Sequence, residues 1–306
     1  MRAVRSHRGA VSSAPSPVII VRMEVISRTL ADAPADVAAR AQCRGFENYF
    51  VPVNLDAASF TSRIEADNVD PRLSWIYETA DGPAGILLVA RRGTTSRIAA
   101  LGLAPELRGQ GLGRKAMEQA IAQARERGDE RMVLEVISAN EAALALYAGL
   151  GFERRRRLVG WRHPEAAGEE GPDTLDEVAP STSAAWLQAW SDDDLSWPLS
   201  PQSHLGAAPP LRGYSIDDRA TAIVDDTGTY VRIVSLAVRP DARRRGLGRR
   251  LVDALLDAYE GRALAFPAIV PERSSRAFME ATGWELTPLS QYEMMLTLDA
   301  TTKPRE

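Results

Sequence analysis

The chain has 306 residues, long enough for two domains of ordinary size, and its apolar and charged fractions are those of a globular protein. A formal charge of −4 argues against wholesale nucleic-acid binding, although local arginine clusters remain open. Cys43 stands alone, which excludes an intrachain disulfide and fits a reducing cytoplasm, and His7, His163 and His204 lack the spacing of a metal site. No apolar stretch approaches the ~18–20 residues needed to span a bilayer.

In chain order, residues 1–22 are arginine- and serine-rich, and their one apolar run, "VIIV", is too short for a signal peptide core of roughly 7–15 residues. They read as a disordered extension, with Met23 the better beginning. "DAPADVAARAQCRGF" (32–46) and "DAASFTSRIEA" (56–66) have capping residues and helical spacing. Residues 74–105 then read as three strands joined by "DGPAG" and a second short turn. A glycine turn, "LRGQGLGRKAM" (107–117), leads into a helix with Met117, Ala120, Ile121 and Ala124 on one face and Gly128 as its stop. "RMVLEVIS" (131–138) is a buried strand, Asn140 caps the next helix, and "FERRRRLVGWRHP" (152–164) returns to extended structure.

After an acidic, glycine-bearing linker at 165–172 the pattern restarts. "STSAAWLQAW" (181–190) is helical, and residues 191–210 are mostly irregular, with Pro198 and Pro201 breaking any long helix. Residues 213–240 give three strands. A second glycine turn, "RRRGLGRRLVDALL" (243–256), opens a helix with Leu251, Leu255 and Tyr259 on one stripe. A strand, a helix and two closing strands in "WELTPLSQYEMMLTLD" follow, before a tail at 301–306. Arg243 lies 135 residues after Arg108, and Gly283 lies 132 after Gly151. Two landmarks agreeing within three residues indicate an internal duplication, with halves at 23–164 and 173–300.

A glycine-rich turn between a strand and a helix points several backbone N–H groups at one spot beside the positive helix end, which favours phosphate. Arg108 and Arg114 add donors in the first copy, and Arg243, Arg244, Arg245 and Arg249 do so in the second. A tight connection with solvated arginines is the plainer reading of one copy; two copies favour a phosphate-bearing cofactor. Gly111, Gly113 and Ala116 also satisfy G-x-G-x-x-A, but "APELR" makes the approach too long for a dinucleotide turn, and Leu251 replaces the third small residue in the second copy. No Gly-Lys-Ser/Thr follows, so a nucleotide-triphosphate P-loop also fails.

The order strand, Arg108-Gly109-Gln110-Gly111-Leu112-Gly113, helix, strand, then Asn140-x-x-Ala143-x-x-Leu146-Tyr147-x-x-Leu150-Gly151-Phe152 resembles the GNAT superfamily of acetyl-CoA-dependent N-acetyltransferases. The resemblance spans about 24–164 well, and 173–300 through the second turn and the fold order. It implies an α/β (α+β) fold: two tandem domains, each a mixed, mostly antiparallel sheet flanked by helices. It also implies that residues 108–114, with Arg114 at their end, wrap the coenzyme A diphosphate, and that Leu101, Gly102 and Leu103 pair with the pantetheine arm. One backbone N–H there would polarise the thioester carbonyl.

Transfer to an amine needs a base for the amine and an acid for the departing thiolate. A phenol near pKa ~10 can protonate a thiolate whose conjugate acid is near ~8.5. The family pattern makes Tyr147 the candidate acid. Glu135, a carboxylate in mid-strand where burial is costly, matches the base position of the ribosomal-protein alanine acetyltransferase branch; a structural glutamate paired with an arginine such as those at 154–157 is the equal alternative. Asn140 caps its helix and is a candidate coenzyme contact. In the second copy Pro267, Glu272 and Met279 replace Glu135, Asn140 and Tyr147, while Arg243, Gly246 and Gly248 keep the phosphate turn.

These readings predict a cytoplasmic N-acetyltransferase that uses acetyl-CoA as co-substrate and no metal. Its first half is catalytic and its second half degenerate. The acceptor is a small-molecule or peptide amine, with no nucleic acid or membrane partner, and two pseudo-symmetric domains suit a monomer. A non-catalytic acyl-CoA-binding or regulatory module is the alternative.

Overall fold

The structure is a computed structural model that describes residues 24–164, 175–191 and 194–298. The expected extension (1–22), linker (165–172) and tail (301–306) lie outside the described residues.

The first half runs β1 (Ile26–Thr29), α1 (Ala35–Gly45), α2 (Ala57–Ala66), β2 (Trp75–Thr79), β3 (Gly82–Arg92), β4 (Thr95–Leu103), α3 (Leu112–Glu126), β5 (Arg131–Ile137), α4 (Glu141–Ala148) and β6 (Glu153–His163). Alternation along the strands feeds two cores. Leu87, Val89, Ile98 and Leu134 pack with Met117 and Ile121 of α3 on one face. Ile76, Ile86 and Leu88 pack with Phe60 of α2 and the alanines of α1 on the other. Asp56 starts α2 by accepting the Ser59 backbone N–H at 2.8 Å, as its sequence position predicts.

The second half runs β7 (Asp176–Val178), α5 (Pro180–Trp190), β8 (Arg212–Ile216), β9 (Ala220–Asp225), β10 (Val231–Val238), α6 (Leu247–Ala258), β11 (Leu264–Pro271), α7 (Glu272–Ala281) and β12 (Glu285–Thr297). One helix, α5, and two 3-10 turns at Trp197–Leu199 and Pro201–Ser203 stand between its opening strands. The duplication extends to an irregularity that sequence spacing does not reveal. Ala99 is an unpaired extra residue of β4, and Val234 is the same in β10, 135 residues later.

The two halves share one twelve-stranded sheet among the described residues, in the order β1-β2-β3-β4-β5-β12-β6-β11-β10-β9-β8-β7. Their last strands are exchanged: β12 lies between β5 and β6, and β6 lies between β12 and β11. The two closing strands expected in 284–299 are one strand, β12. Pro288, which has no N–H to donate, produces a shift in its pairing with β6 between Leu286 and Ser290 rather than a turn. Trp197 packs back against the first half, where its indole N–H donates to the Asp67 carbonyl at 3.1 Å and Arg92 lies 3.9 Å over its ring.

Candidate active site

β4 and β5 are parallel and pair only from Thr95 with Arg131 to Ile98 with Leu134. Beyond that point they splay. The β5-facing edge of residues 99–103 is therefore without a strand partner, and an extended ligand can add itself there as a strand would. A cleft of about 530 Å³ opens over this edge, walled by β4, the glycine turn, α4 and the segment after α1.

At the turn, Gly109 has φ +74° and Gly111, the N-cap of α3, has φ +79°, the left-handed region that glycine enters without strain. The first N–H bonded within α3 is that of Lys115, to the Gly111 carbonyl at 3.1 Å. The N–H groups of Leu112, Gly113 and Arg114 therefore stay open at the positive end of a 15-residue helix. This is an anion cradle built from main chain.

Arg108, expected as a phosphate donor, lines the cleft and also clamps the turn. Its Nε donates to the Leu103 carbonyl at 2.7 Å, and its Nη2 donates to the Gly45 and Glu47 carbonyls at 3.2 and 2.7 Å. The guanidinium ties the turn to the end of β4 and to the C-terminus of α1. Arg114, half-exposed at the rim, donates to the Gly149 carbonyl at the end of α4.

Tyr147 lies in the cleft wall, 7% exposed, its ring 5.9 Å from that of Phe152. Burial, helped by Tyr49, pushes its hydroxyl well above the ordinary tyrosine value, so it holds its proton at neutral pH. Asn140 accepts the Ala143 backbone N–H at 3.1 Å, as an N-cap should, and lines the cleft together with Tyr49. Tyr49 belongs to "GFENYFVP" (45–52), which follows the first helix where the resemblance places substrate-contacting elements, its aromatics being equally suited to core packing; here Tyr49 lines the cleft. The structure stacks Phe46, Tyr49 and Phe50 edge to face along the cleft, with Phe50 53% exposed at its lip.

Of the predicted residues, Leu101, Gly102, Leu103, Arg108, Gly109, Gly111, Gly113, Arg114, Asn140 and Tyr147 all line the cleft. Gln110 and Leu112 do not; the Gln110 amide turns to the Glu106 carbonyl at 2.6 Å. Glu135 lies on the sheet face opposite α3 and α4, and is the first residue of β5 past its last pairing with β4. Its ion-pair partner is Arg97 of β4, at 2.8 Å, while Arg155 and Arg156 of the expected cluster pair with Glu293. The other Glu135 oxygen, Oε1, is buried with no hydrogen-bond partner among the described residues.

Residues 40–152 and 174–284, together well over half of the chain, match the Acetyltransferase (GNAT) family. The chain belongs to this family. It is 44% identical over 69 residues to N-alpha-acetyltransferase 30 of Schizosaccharomyces pombe, a stretch covering 22% of this chain and 46% of that protein. It is 42% identical over 77 residues to a mycothiol acetyltransferase of Thermobispora bispora, covering 25% and 22%. The chain thus matches less than half the length of these curated relatives. A GCN5-related N-acetyltransferase from Sphaerobacter thermophilus shares the fold at TM-score 0.65 and 16% identity, over 90% of this chain and 96% of that one. A tandem GNAT protein from the clavulanic acid biosynthesis pathway does so at 0.58 and 15%, over 90% and 99%.

The second GNAT half holds a matching cleft of about 580 Å³, lined by Arg243, Gly246 and Gly248. Arg243 repeats the Arg108 clamp, donating to the Val238 carbonyl at 3.0 Å and to the Trp190 carbonyl at the end of α5 at 2.5 Å. Arg249 repeats Arg114 by donating to the Ala281 carbonyl of α7. Arg244 takes φ +59° where the first copy has Gly109, so the turn keeps its shape without its first glycine. Met279 stands in the place of Tyr147: each accepts, through its carbonyl, the N–H of the residue five further on, Trp284 and Phe152 respectively. Pro271 is the N-cap of α7 where Asn140 is that of α4.

Proposed function

We propose that the first half transfers an acetyl group from acetyl-CoA to a primary amine by direct attack within a ternary complex. The open N–H groups of the α3 N-terminus suit the diphosphate, and the unpaired edge of β4 suits the pantetheine amides. Glu135, through water, takes one proton from the ammonium and passes it to solvent. The amine nitrogen then forms a C–N bond to the thioester carbonyl, whose oxygen is stabilised by a β4 N–H. The C–S bond breaks, Tyr147 gives its proton to the departing sulfur, and the remaining excess proton on nitrogen returns to Tyr147. Products are the amide, free thiol and one proton.

The observation that carries this reading is the meeting of a main-chain anion cradle, a free strand edge and a buried, proton-holding phenol in one cleft. The second cleft keeps the cradle and replaces the phenol with a thioether that has no proton to give, which supports coenzyme binding there without turnover. The acceptor is an amine of a small molecule or peptide; the S. pombe relative's name makes peptide α-amines the first class to try.

Thiol release from acetyl-CoA across a panel of peptide α-amines, polyamines and amino sugars tests the reading. Release with at least one class is expected. Coenzyme binding with no release from any amine would make the chain a binding module instead.

A further inference from the structure

Glu135 and Glu293 are direct partners on the antiparallel pair β5–β12, with Cβ atoms about 5 Å apart in such pairs. Glu293 is in turn the direct partner of Arg156 on β6. With Arg97 of β4 reaching Glu135 from the other side, four charged residues cross four adjacent strands in the order Arg97, Glu135, Glu293, Arg156. Both carboxylates are buried, their side chains 6% and 3% exposed. Like charges placed directly opposite oppose each other's ionisation, so such a pair persists only for a reason.

The two carboxylates are not equally satisfied. Glu293 is gripped at both oxygens by Arg156, with Arg155 at 3.5 Å. Glu135 has Arg97 on one oxygen and no partner among the described residues on the other, and the residue stands at the root of the β4–β5 splay. The remaining charged or titratable groups around the row, among the described residues, are Asp67, which also binds Arg97, Arg92 stacked on Trp197, Asp194 on Arg155 and Arg156, and His204 near Arg92, held neutral by its burial.

We propose that Glu293, carried into the first half by the exchanged strand β12, is a positioning residue that holds Glu135 ready to accept the amine proton. The inference rests on the reading of Glu135 as the base. Arg155 and Arg156 take up the oxygens of Glu293, so the oxygen of the pair without a partner among the described residues is on Glu135. Burial raises the Glu135 carboxyl most, Arg97 pulls it down, and Glu293 and Asp67 push it up again, with the rise prevailing. The second half thereby completes the reaction site of the first, although it has no proton donor of its own at Met279.

The test is the pH profile of kcat/KM for the amine in the full chain. Glu293→Gln removes the opposing charge while Arg155 and Arg156 keep Asp194 as a partner, so the acid limb should move down by about one pH unit. Glu293→Asp should restore the wild-type limb. Arg156→Gln frees the Glu293 charge and should move the limb up, and it decides the matter if Glu293→Gln does not fold. Unmoved limbs in the folded variants, whatever their melting temperatures, would overturn the proposal. Full activity in Glu135→Gln would instead overturn the underlying base assignment, so the two failures are distinct.

Discussion

Gly45 and Gly102 meet backbone to backbone: a Cβ on Gly45 would fall 2.7 Å from the Gly102 carbonyl oxygen. A Cβ on Gly102 would fall 2.5 Å from the Phe46 ring. The end of α1 is thereby pressed onto β4 at the level where the acyl carrier would lie, which brings Phe46 and Tyr49 to the cleft.

Gly102→Ala must push that helix end away. The expected cost is about 1–3 kcal/mol of stability, the usual range for overpacking, together with a raised KM for acetyl-CoA. Thermal melting and steady-state kinetics read the two effects. A variant with wild-type values in both would mean that α1 yields freely and that the close approach has no role in shaping the cleft.

The strand exchange makes an unconventional prediction for truncation. A fragment ending at residue 164 loses β12, the hydrogen-bonding partner that β5 has from Ile137 to Arg131, and, with β11 gone as well, both partners of β6. An exposed β5 edge and a β6 left without any partner should leave the fragment aggregated or without a cooperative melt. Circular dichroism and size-exclusion chromatography check this. A soluble, cooperatively folded fragment would show that β12 is dispensable to the first half.

Asp129, its side chain fully buried, receives hydrogen bonds from Ser96, Arg91 and Arg127. Burial alone would raise its pKa, but these three partners overcome it and hold it below the ordinary carboxylate value. A carboxyl depressed on folding stabilises the native state above its unfolded pKa, near ~3.9, and loses that contribution as pH falls through the folded value. The melting temperature should therefore fall below about pH 4, and Asp129→Asn should be destabilised at neutral pH and show a weaker acid dependence. Equal acid slopes for the variant and the wild type would remove Asp129 from the acid response.

Much of this architecture was legible in the sequence because local rules govern it. The cap at Asn140, the helix stop at Gly128 and both cradles follow from residue type and spacing alone. The place of Tyr147 in the cleft wall follows the motif. What sequence could not give depends on partners far along the chain. Nothing local distinguishes a β12 that closes its own half from one that crosses into the other, and Pro288 looks like a break rather than a tolerated irregularity. The contacts of the turn arginines were hidden for the same reason. "LRGQG" announces a cationic turn, but only the fold reveals that Arg108 is spent on three carbonyls while main-chain donors face the cleft. Arg97, Asp67 and Glu293, which surround Glu135, come from three separate segments with no shared spacing.

Turnover by Tyr147→Phe tests the central claim, that chemistry occurs in the first cleft with a phenol as acid. Thiol release from acetyl-CoA with a responsive amine should fall by roughly 10²–10³ in kcat, the reach of one acid–base group, with the KM for acetyl-CoA little changed. A folded Tyr147→Phe variant that turns over at the wild-type rate would contradict the account.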